Sequence, residues 1–418
     1  MPRLEPVFKG LCPNCGGEIT ASRLSRGLPC HVCLPEEPRD ADLMTVYKVL
    51  RERNAAWGYE YIVSLEEAFR DFSSYFEDKY GFSLSSAQRS WARRLLRDES
   101  FSIVAPTGVG KTTLLMAYAS YVAERGRDQG RRVLYLVPTE NLVAQTADRL
   151  VKMAGEGLVA YYYSSMRRED RESMANRIGS LQYSILVITP GFMVRNFEAL
   201  RKAAPYDLII VDDVDSLLRN SKNIDRTLIL LGFKEEAINT AFKLVELRLD
   251  LAQAFKVGNE EKADKLMKDI ATLMDELQKL RTERGQLVIA SATGRPRGVK
   301  HLVFRELLNF EVGGGTDYLR NVVDTYLIAD DVIEAAVETA KRLGRGGLVF
   351  VSQALGKQLV KVVAQRLNEA GVRAVHAVSN PRRAVEKLVS GEADVAVGVA
   401  SRYGALVRGI DLPEIIRY

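Results

Sequence analysis

The stretch FSIVAPTGVGKTT, residues 101–113, decides how the rest of the chain is read. Phe101 to Val104 is a short apolar run of the kind that forms a buried strand, and Leu114 to Ala123 has the pattern of a helix. Between them the residues match a phosphate loop, with Ala105 where that pattern has its first glycine. Gly108 and Gly110 let backbone N–H groups turn inward around phosphates, and the N-terminus of the following helix adds its dipole. Lys111 is expected to reach the β- and γ-phosphates of ATP and the Thr112 hydroxyl to ligate Mg²⁺, with Thr107 and Thr113 completing the nucleotide-binding set. The plain alternative is an ordinary strand–helix turn, which seldom carries Gly-Lys-Thr in this setting.

A phosphate loop needs a partner strand that ends in carboxylates. Leu208 to Val211, followed by Asp212, Asp213, Val214 and Asp215, supplies one. One carboxylate must hold magnesium through water and a second can orient or deprotonate the attacking water, roles assigned to Asp212 and Asp213 respectively. Lys111, Asp212 and Asp213 are thus the expected catalytic residues. A solvated acidic turn is the alternative, but crowded carboxylates repel one another and favour a cation.

Further marks follow in order. Gln88 lies about twenty residues before the loop, and its amide can both donate to and accept from the edge of adenine; a surface helix residue is the default for it. Tyr80 or Phe82 can stack on the base. Pro138 and Thr139 follow the strand Val133 to Val137, and Thr189 and Pro190 follow the strand Ile185 to Ile188. Hydroxyls and amides at such strand ends suit the phosphates of a nucleic-acid backbone. Ser291, Ala292 and Thr293 follow the strand Gln286 to Ala290 and suit a relay of the γ-phosphate state.

Near the start, Cys12, Cys15, Cys30 and Cys33 form two C-x2-C knuckles. Two knuckles can fill the four corners of a zinc tetrahedron, and Gly16, Gly17 and Gly27 suit their turns. Two disulfides or four free thiols are the alternatives. His31 sits inside the second knuckle, where four thiolates already complete the shell. Lys9, Arg23 and Arg26 nearby leave two roles open, contact with DNA or a staple for the N-terminus.

At 418 residues the chain exceeds one compact core, and 47% hydrophobic with 27% charged residues excludes a disordered polypeptide. No apolar run is long enough to cross a bilayer, so no membrane partner is expected. Met1 to Gly10 carries charges and no apolar core, so no secretory signal is read, and a reducing cytoplasm is the expected compartment. Fifty-nine Lys and Arg against 54 Asp and Glu, a net charge of +5, permit a nucleic-acid partner without demanding one.

The expected organisation is a zinc ribbon over 1–40, a helical connector over 41–79, a first α/β domain over 80–312 and a second over 313–418. An insertion over 234–283 reads as an antiparallel helical hairpin broken at Gly258 and Asn259 and projecting from the first domain. Phe242, Val245, Leu249 and Ala252 form one apolar stripe; Leu266, Met267, Ile270, Leu273, Met274, Leu277 and Leu280 form the other. It serves either to stabilise the domain or to contact DNA or another domain. In the second domain Gly347 to Val351, Ala374 to Ala377 and Val395 to Val399 read as strands, with His376 a strand residue.

The ordered set Gln88, APTGVGKTT, PT, TP, DDVD and SAT resembles a superfamily 2 helicase core. VDDVDSLLRNSKNIDRTLILLGF (211–233), FRELLNFEVGG (304–314), RNVVDTY (320–326) and DVAVGVASRYGALVRGIDLPEIIRY (394–418) narrow the resemblance to reverse gyrase, which joins a helicase-like half to a type IA topoisomerase. The four-cysteine finger belongs to the same pattern, and Asp213 stands where ordinary DEAD-box helicases carry Glu. The resemblance implies two RecA-like parallel-sheet domains, the second incomplete. It implies ATP, Mg²⁺ and Zn²⁺ as cofactors, and as partners DNA and a topoisomerase half in the same or a separate chain. It places Asp411 at the nucleotide, Arg408 at nucleic acid, and Gly409 between them. The implied activity is ATP-driven DNA binding coupled to positive supercoiling. Tyr418 precedes the strand and arginine-rich motif with which family members continue. A truncated piece, a split-gene subunit or an incomplete gene is therefore expected, one that binds ATP and DNA but hydrolyses ATP slowly. A non-catalytic DNA-binding subunit and a free-standing, processive helicase are the competing readings.

Overall fold

Strands buried on both faces must satisfy every backbone group within the sheet and read as unbroken apolar runs. The computed structural model, which describes residues 5–218, 221–280, 284–292, 299–312, 327–378, 380–400, 406 and 414–418, is organised by such strands. The N-terminal ribbon holds β1 (Val7–Phe8), β2 (Ile19–Thr20) and α1 (Ala21–Ser25); α2 (Leu43–Glu52), α3 (Trp57–Tyr80) and α4 (Ser86–Leu95) follow. The main sheet is then laid down by β3 (Phe101–Val104), α5 (Lys111–Arg125), β4 (Val133–Leu136), α6 (Glu140–Ala154), β5 (Val159–Tyr161), α7 (Arg168–Gly179) and β6 (Ile185–Ile188). It is completed by α8 (Pro190–Arg195), α9 (Phe197–Arg201), β7 (Leu208–Asp212), α10 (Val214–Leu218), α11 (Ser221–Leu230), α12 (Glu235–Lys256), α13 (Glu260–Lys279), β8 (Gln286–Ser291) and α14 (Val303–Leu308).

The six strands are all parallel, in the order β3-β8-β7-β4-β6-β5. Alternation along each strand divides the interior in two. Val133, Tyr135, Leu208 and Ile210 face one core with Phe72, Phe76, Leu114 and Leu150; Leu134, Leu136, Ile209 and Val211 face the other with Ile178, Met193, Leu217 and Phe304. Because the strands run one way, the residues following β3, β4, β6, β7 and β8 all emerge at one edge. That edge collects every motif the sequence marks in the first domain. Strand β8 lies between β3 and β7, so the phosphate loop and the acidic strand end sit one strand apart.

The hairpin forms as expected, with Gly258 in the left-handed region (φ 70) and Asn259 capping α13. Its packing differs from the sequence reading. The base of the hairpin is built into the sheet's own core through Ala237, Ile238, Ala241, Leu244, Ile270 and Leu277, and only the tip keeps a separate cluster of Ala254, Ala263 and Leu266. The buried line of α12 alternates small alanines (Ala237, Ala241, Ala254) with Ile238, Leu244 and Val245. Leu249 and Ala252, expected inside, face outward, as do Met267 and Met274 of α13.

In the second domain α15 (Val332–Leu343), β9 (Gly347–Ser352), α16 (Gly356–Glu369), β10 (Ala374–His376), α17 (Pro381–Val389) and β11 (Val395–Ala400) form a parallel sheet ordered β10-β11-β9. Helices α15 and α16 cover one face and α17 the other. His376 is an exposed strand residue. Gly313 to Gly315, Thr293, Arg408, Gly409 and Asp411 lie outside the described residues. No helix among the described residues is long and apolar enough to cross a membrane.

Asp394, at the foot of β11, gathers the guanidinium groups of Arg373 (2.6 Å) and Arg345 (2.9 Å). Hydrogen bonds from Arg373 and then Arg345 hold its carboxyl at about 2, below the ordinary 3.8 and against the effect of burial. A depressed carboxylate pKa stabilises the fold above the unfolded value, and this is lost as pH falls through the folded one. Asp394→Asn is expected to cost about 1 kcal/mol at pH 7, discounted because Arg373 is 49% and Arg345 68% exposed, and the difference from the parent should vanish between pH 4 and 2 in urea titrations.

Candidate nucleotide-binding site

The phosphate loop is anchored at its base by the Ala105 N–H, which donates to the Ser291 carbonyl (3.1 Å) on β8. Gly108 (φ 84) and Gly110 (φ 83) occupy the left-handed region that side-chain-bearing residues avoid. Gln88 locks the loop from behind. Its Oε1 accepts from the Ser85 N–H (2.9 Å) and its Nε2 donates to the Gly110 carbonyl (3.1 Å), while Ser85 Oγ accepts from the Gln88 N–H. This is a capping box at the start of α4, and it buries Gln88 almost fully. A Cβ on Gly110 would lie 2.6 Å from Gln88 Nε2. Of the two aromatic candidates, Tyr80 is tied down, its hydroxyl donating to the Thr113 carbonyl (3.2 Å), whereas Phe82 presents a ring that is 53% exposed.

Lys111 is buried and donates to the carbonyls of Ala105 (2.5 Å) and Pro106 (2.6 Å). Burial holds its ammonium below the usual lysine range, offset only in part by Asp212. The Thr112 hydroxyl donates to Asp212 Oδ2 (2.9 Å), joining residues 100 apart in sequence. Burial pushes the Asp212 carboxyl above the usual carboxylate range, against the Thr112 hydrogen bond and the Lys111 charge. The edge thus holds a cation and an anion both short of solvation, beside loop amides, which is the electrostatic complement of a phosphate chain with its metal. Asp213 adopts φ 120 at the turn out of β7, and its Oδ1 accepts from the Asp215 N–H (3.3 Å).

The two expected nucleic-acid positions are neighbours, since β4 pairs with β6. Thr139 Oγ1 accepts from the Leu142 N–H (3.4 Å) and caps α6; Thr189 Oγ1 accepts from the Phe192 N–H (3.2 Å) and caps α8, with Pro190 in its first turn. Each hydroxyl therefore keeps its proton to donate outward, and Pro138 leads into the first cap. The sequence reading missed Glu140, whose carboxylate accepts the N–H (3.0 Å) and hydroxyl (2.6 Å) of Ser164, binding the loop after β5 to the same edge.

In the ribbon the four thiols are free, and their sulfurs all lie within 4.8 Å of one another. Cys15 and Cys30 are 3.8 Å apart, too far for a disulfide and close to the S···S edge of about 3.8 Å that a Zn–S bond of about 2.3 Å sets in a tetrahedron. Burial opposes ionisation of Cys12, yet the N–H groups of Cys15, Cys30 and Asn14 pull it down to about 6, while burial pushes Cys33 up to about 12. A dication bound by all four removes that conflict, so the donor set fits zinc.

Asn14, also missed, clamps the first knuckle to α3. Its Nδ2 donates to the Ala55 carbonyl (2.7 Å), and its Oδ1 accepts from the N–H groups of Gly58 (3.2 Å) and Tyr59 (3.3 Å). Arg23, read as a possible DNA contact, is instead 1% exposed and donates to the Leu34 carbonyl (2.7 Å), and Arg26 is chelated by Glu37. Asn14→Ala would leave the Tyr59 N–H at the start of α3 without its partner and cut the tie to Ala55, while the Gly58 N–H keeps the backbone carbonyl of residue 14 (3.0 Å). A loss of about 1–2 kcal/mol is expected in thermal melts of the zinc-loaded chain, with zinc content unchanged.

A family model described as "Reverse gyrase zinc finger" matches residues 4–51, and one described as "DEAD/DEAH box helicase" matches 85–241. Reverse gyrase 2 of Aeropyrum pernix is 50% identical over 417 residues, covering 99% of this chain and 34% of that protein. The reverse gyrase of Thermococcus kodakarensis is 39% identical over 430 residues, 99% of this chain and 25% of its own length. Reverse gyrase 1 of Aquifex aeolicus is 36% identical over 416 residues, again 99% of this chain and 34% of its own length. The chain therefore spans about a third of these relatives or less. With a reverse gyrase finger at one end, a helicase domain beside it and likeness along its whole length, the chain belongs with the reverse gyrases, as their zinc-finger and helicase-like module.

Proposed function

We propose that this chain is the ATP-driven, DNA-binding module of a reverse gyrase, acting in the cytoplasm and coupled to strand passage by a type IA topoisomerase half. The observation that carries the reading is the Thr112–Asp212 hydrogen bond beside the buried Lys111, at the edge where the loop amides converge. Lys111 exchanges the two loop carbonyls for the β- and γ-phosphates of ATP. Thr112 and Asp212 hold Mg²⁺, which when bound offsets the charge of the phosphates. Asp213 orients the attacking water. Gln88 keeps the loop in register through its bonds to Ser85 and Gly110, which commit the amide the sequence offered to adenine, and Phe82 is the ring available to the base. Thr107, Gly108, Gly110 and Thr113 complete the cradle, and the resemblance assigns Asp411 to the same nucleotide.

Pro138, Thr139, Thr189 and Pro190 hold backbone phosphates of DNA, with Arg408 facing the same strand. ATP binding draws the two domains together on DNA and hydrolysis releases them. The closure drives positive supercoiling in the complete enzyme, and processive unwinding is not required of it.

Calorimetry tests the reading directly. The parent chain is expected to take up ATP in a magnesium-dependent manner, and Lys111→Ala to weaken that uptake by about a hundredfold; well-folded parent protein that binds no nucleotide would refute the proposal. Asp213→Asn should leave binding within about twofold while lowering phosphate release at least tenfold once a topoisomerase-bearing partner is supplied. Cys12→Ser is expected to release one zinc per chain by metal analysis and to destabilise the ribbon by several kcal/mol.

A further inference from the structure

We infer that Ser216 and Asn223 are positioning residues for Asp213, an inference that rests on the reading of Asp213 as the residue that orients the attacking water. Asp212 and Asp213 are adjacent in sequence but differ in backbone. Asp212 closes β7 as a regular strand residue, whereas Asp213 takes φ 120, a region in which a residue with a side chain persists only when its neighbours hold it there. Among the described residues four contacts hold it. Its N–H donates to the Ala290 carbonyl (3.2 Å) on β8, and its Oδ1 accepts from the Asp215 N–H (3.3 Å). Its carbonyl accepts from both the N–H (3.2 Å) and the hydroxyl (2.8 Å) of Ser216.

Ser216 is 5% exposed and lies on α10, which at five residues is too short to be stable alone. Packing of Val214 and Leu217 fixes its buried side. Its end is fixed by Asn223 of α11, 4% exposed, whose Nδ2 donates to the carbonyls of Leu217 (3.0 Å) and Ser216 (3.4 Å). The Asn223 carbonyl in turn accepts from the Thr227 hydroxyl (2.7 Å). A line of buried polar contacts thus runs from α11 through α10 and ends on the left-handed residue of the acidic turn. Asp212 is held separately, by Thr112. The two carboxylates therefore have independent supports, and disturbing Ser216 or Asn223 should affect the water-orienting one alone.

The affinity of the full chain for Mg²⁺-ADP and for Mg²⁺-ADP with aluminium fluoride, which imitates the phosphoryl group in flight, separates these roles without turnover. Ser216→Ala and Asn223→Ala should leave ADP affinity within about twofold of the parent and weaken the fluoride complex about tenfold. Ser216→Thr, which keeps the hydroxyl, should restore it. Thr227→Val, buried in the same helix and losing a hydrogen bond to the Asn223 backbone carbonyl, which leaves the Asn223 amide on Ser216 and Leu217, should change neither. If Ser216→Ala fails to fold, Asn223→Asp, which keeps the size but loses both donors, gives the same comparison. Equal ratios of the two affinities in parent and variants, including a parent that gains nothing from fluoride, overturn the inference while leaving nucleotide binding intact. A parent that binds neither complex refutes the nucleotide reading itself and this inference with it.

Discussion

Everything at the functional edge depends on a desolvated lysine and a desolvated carboxylate held close together by parallel strands. Neither charge is comfortable there: burial lowers the ammonium of Lys111 and raises the carboxyl of Asp212. The sheet enforces the meeting all the same. Register fixes β3 against β8 and β8 against β7, so the turns leaving the outer two must open side by side. Two loop carbonyls meet the ammonium and one threonine hydroxyl meets the carboxylate, sharing the load between them. The fold thus prepares a charge arrangement that only a ligand completes.

Much of this was legible in the sequence because it is local. Strand, loop, lysine and helix occupy 101–125 without interruption, and the cysteine knuckles announce their ligand set by spacing alone. Lys111, Thr112 and Asp212 are brought together as the motifs imply. What the residues could not reveal depends on partners far away in sequence. Gln88 reads as a free amide, yet it is committed to Ser85 and Gly110; the S-x-x-Q pattern at 85–88 was the available signal. Arg23 reads as a surface cation, but its partner, the Leu34 carbonyl, comes from the far side of the second knuckle.

The hairpin was legible in its turn and only in part legible in its phase. Counting large apolar residues found only part of the buried face of α12: Val245 is buried and Phe242 packs against the core, but Ala237 and Ala241 also line it while Leu249 and Phe255 stay in solvent. Small residues carry a buried face when the neighbouring layer is near, and hydropathy alone gives them little weight. The result is a hairpin whose root belongs to the first domain's core. Its outward side is left to a groove shared by Arg248, Leu249, Phe255 and Arg305.

The clamp at Asn14 has a mechanical consequence. Helix α3 starts under the first knuckle, and about 22 Å along its 24 residues Phe72 packs edge-on against Tyr118 and Tyr121 of α5 while Asp71 pairs with Arg125. A Cβ at Gly58 would collide with the Pro13 carbonyl, so the joint leaves no slack at the knuckle end. Finger and phosphate-loop helix are therefore two ends of one strut. Any movement of the first domain takes the finger with it as a fixed outrigger, and whatever the finger touches is carried along at that distance.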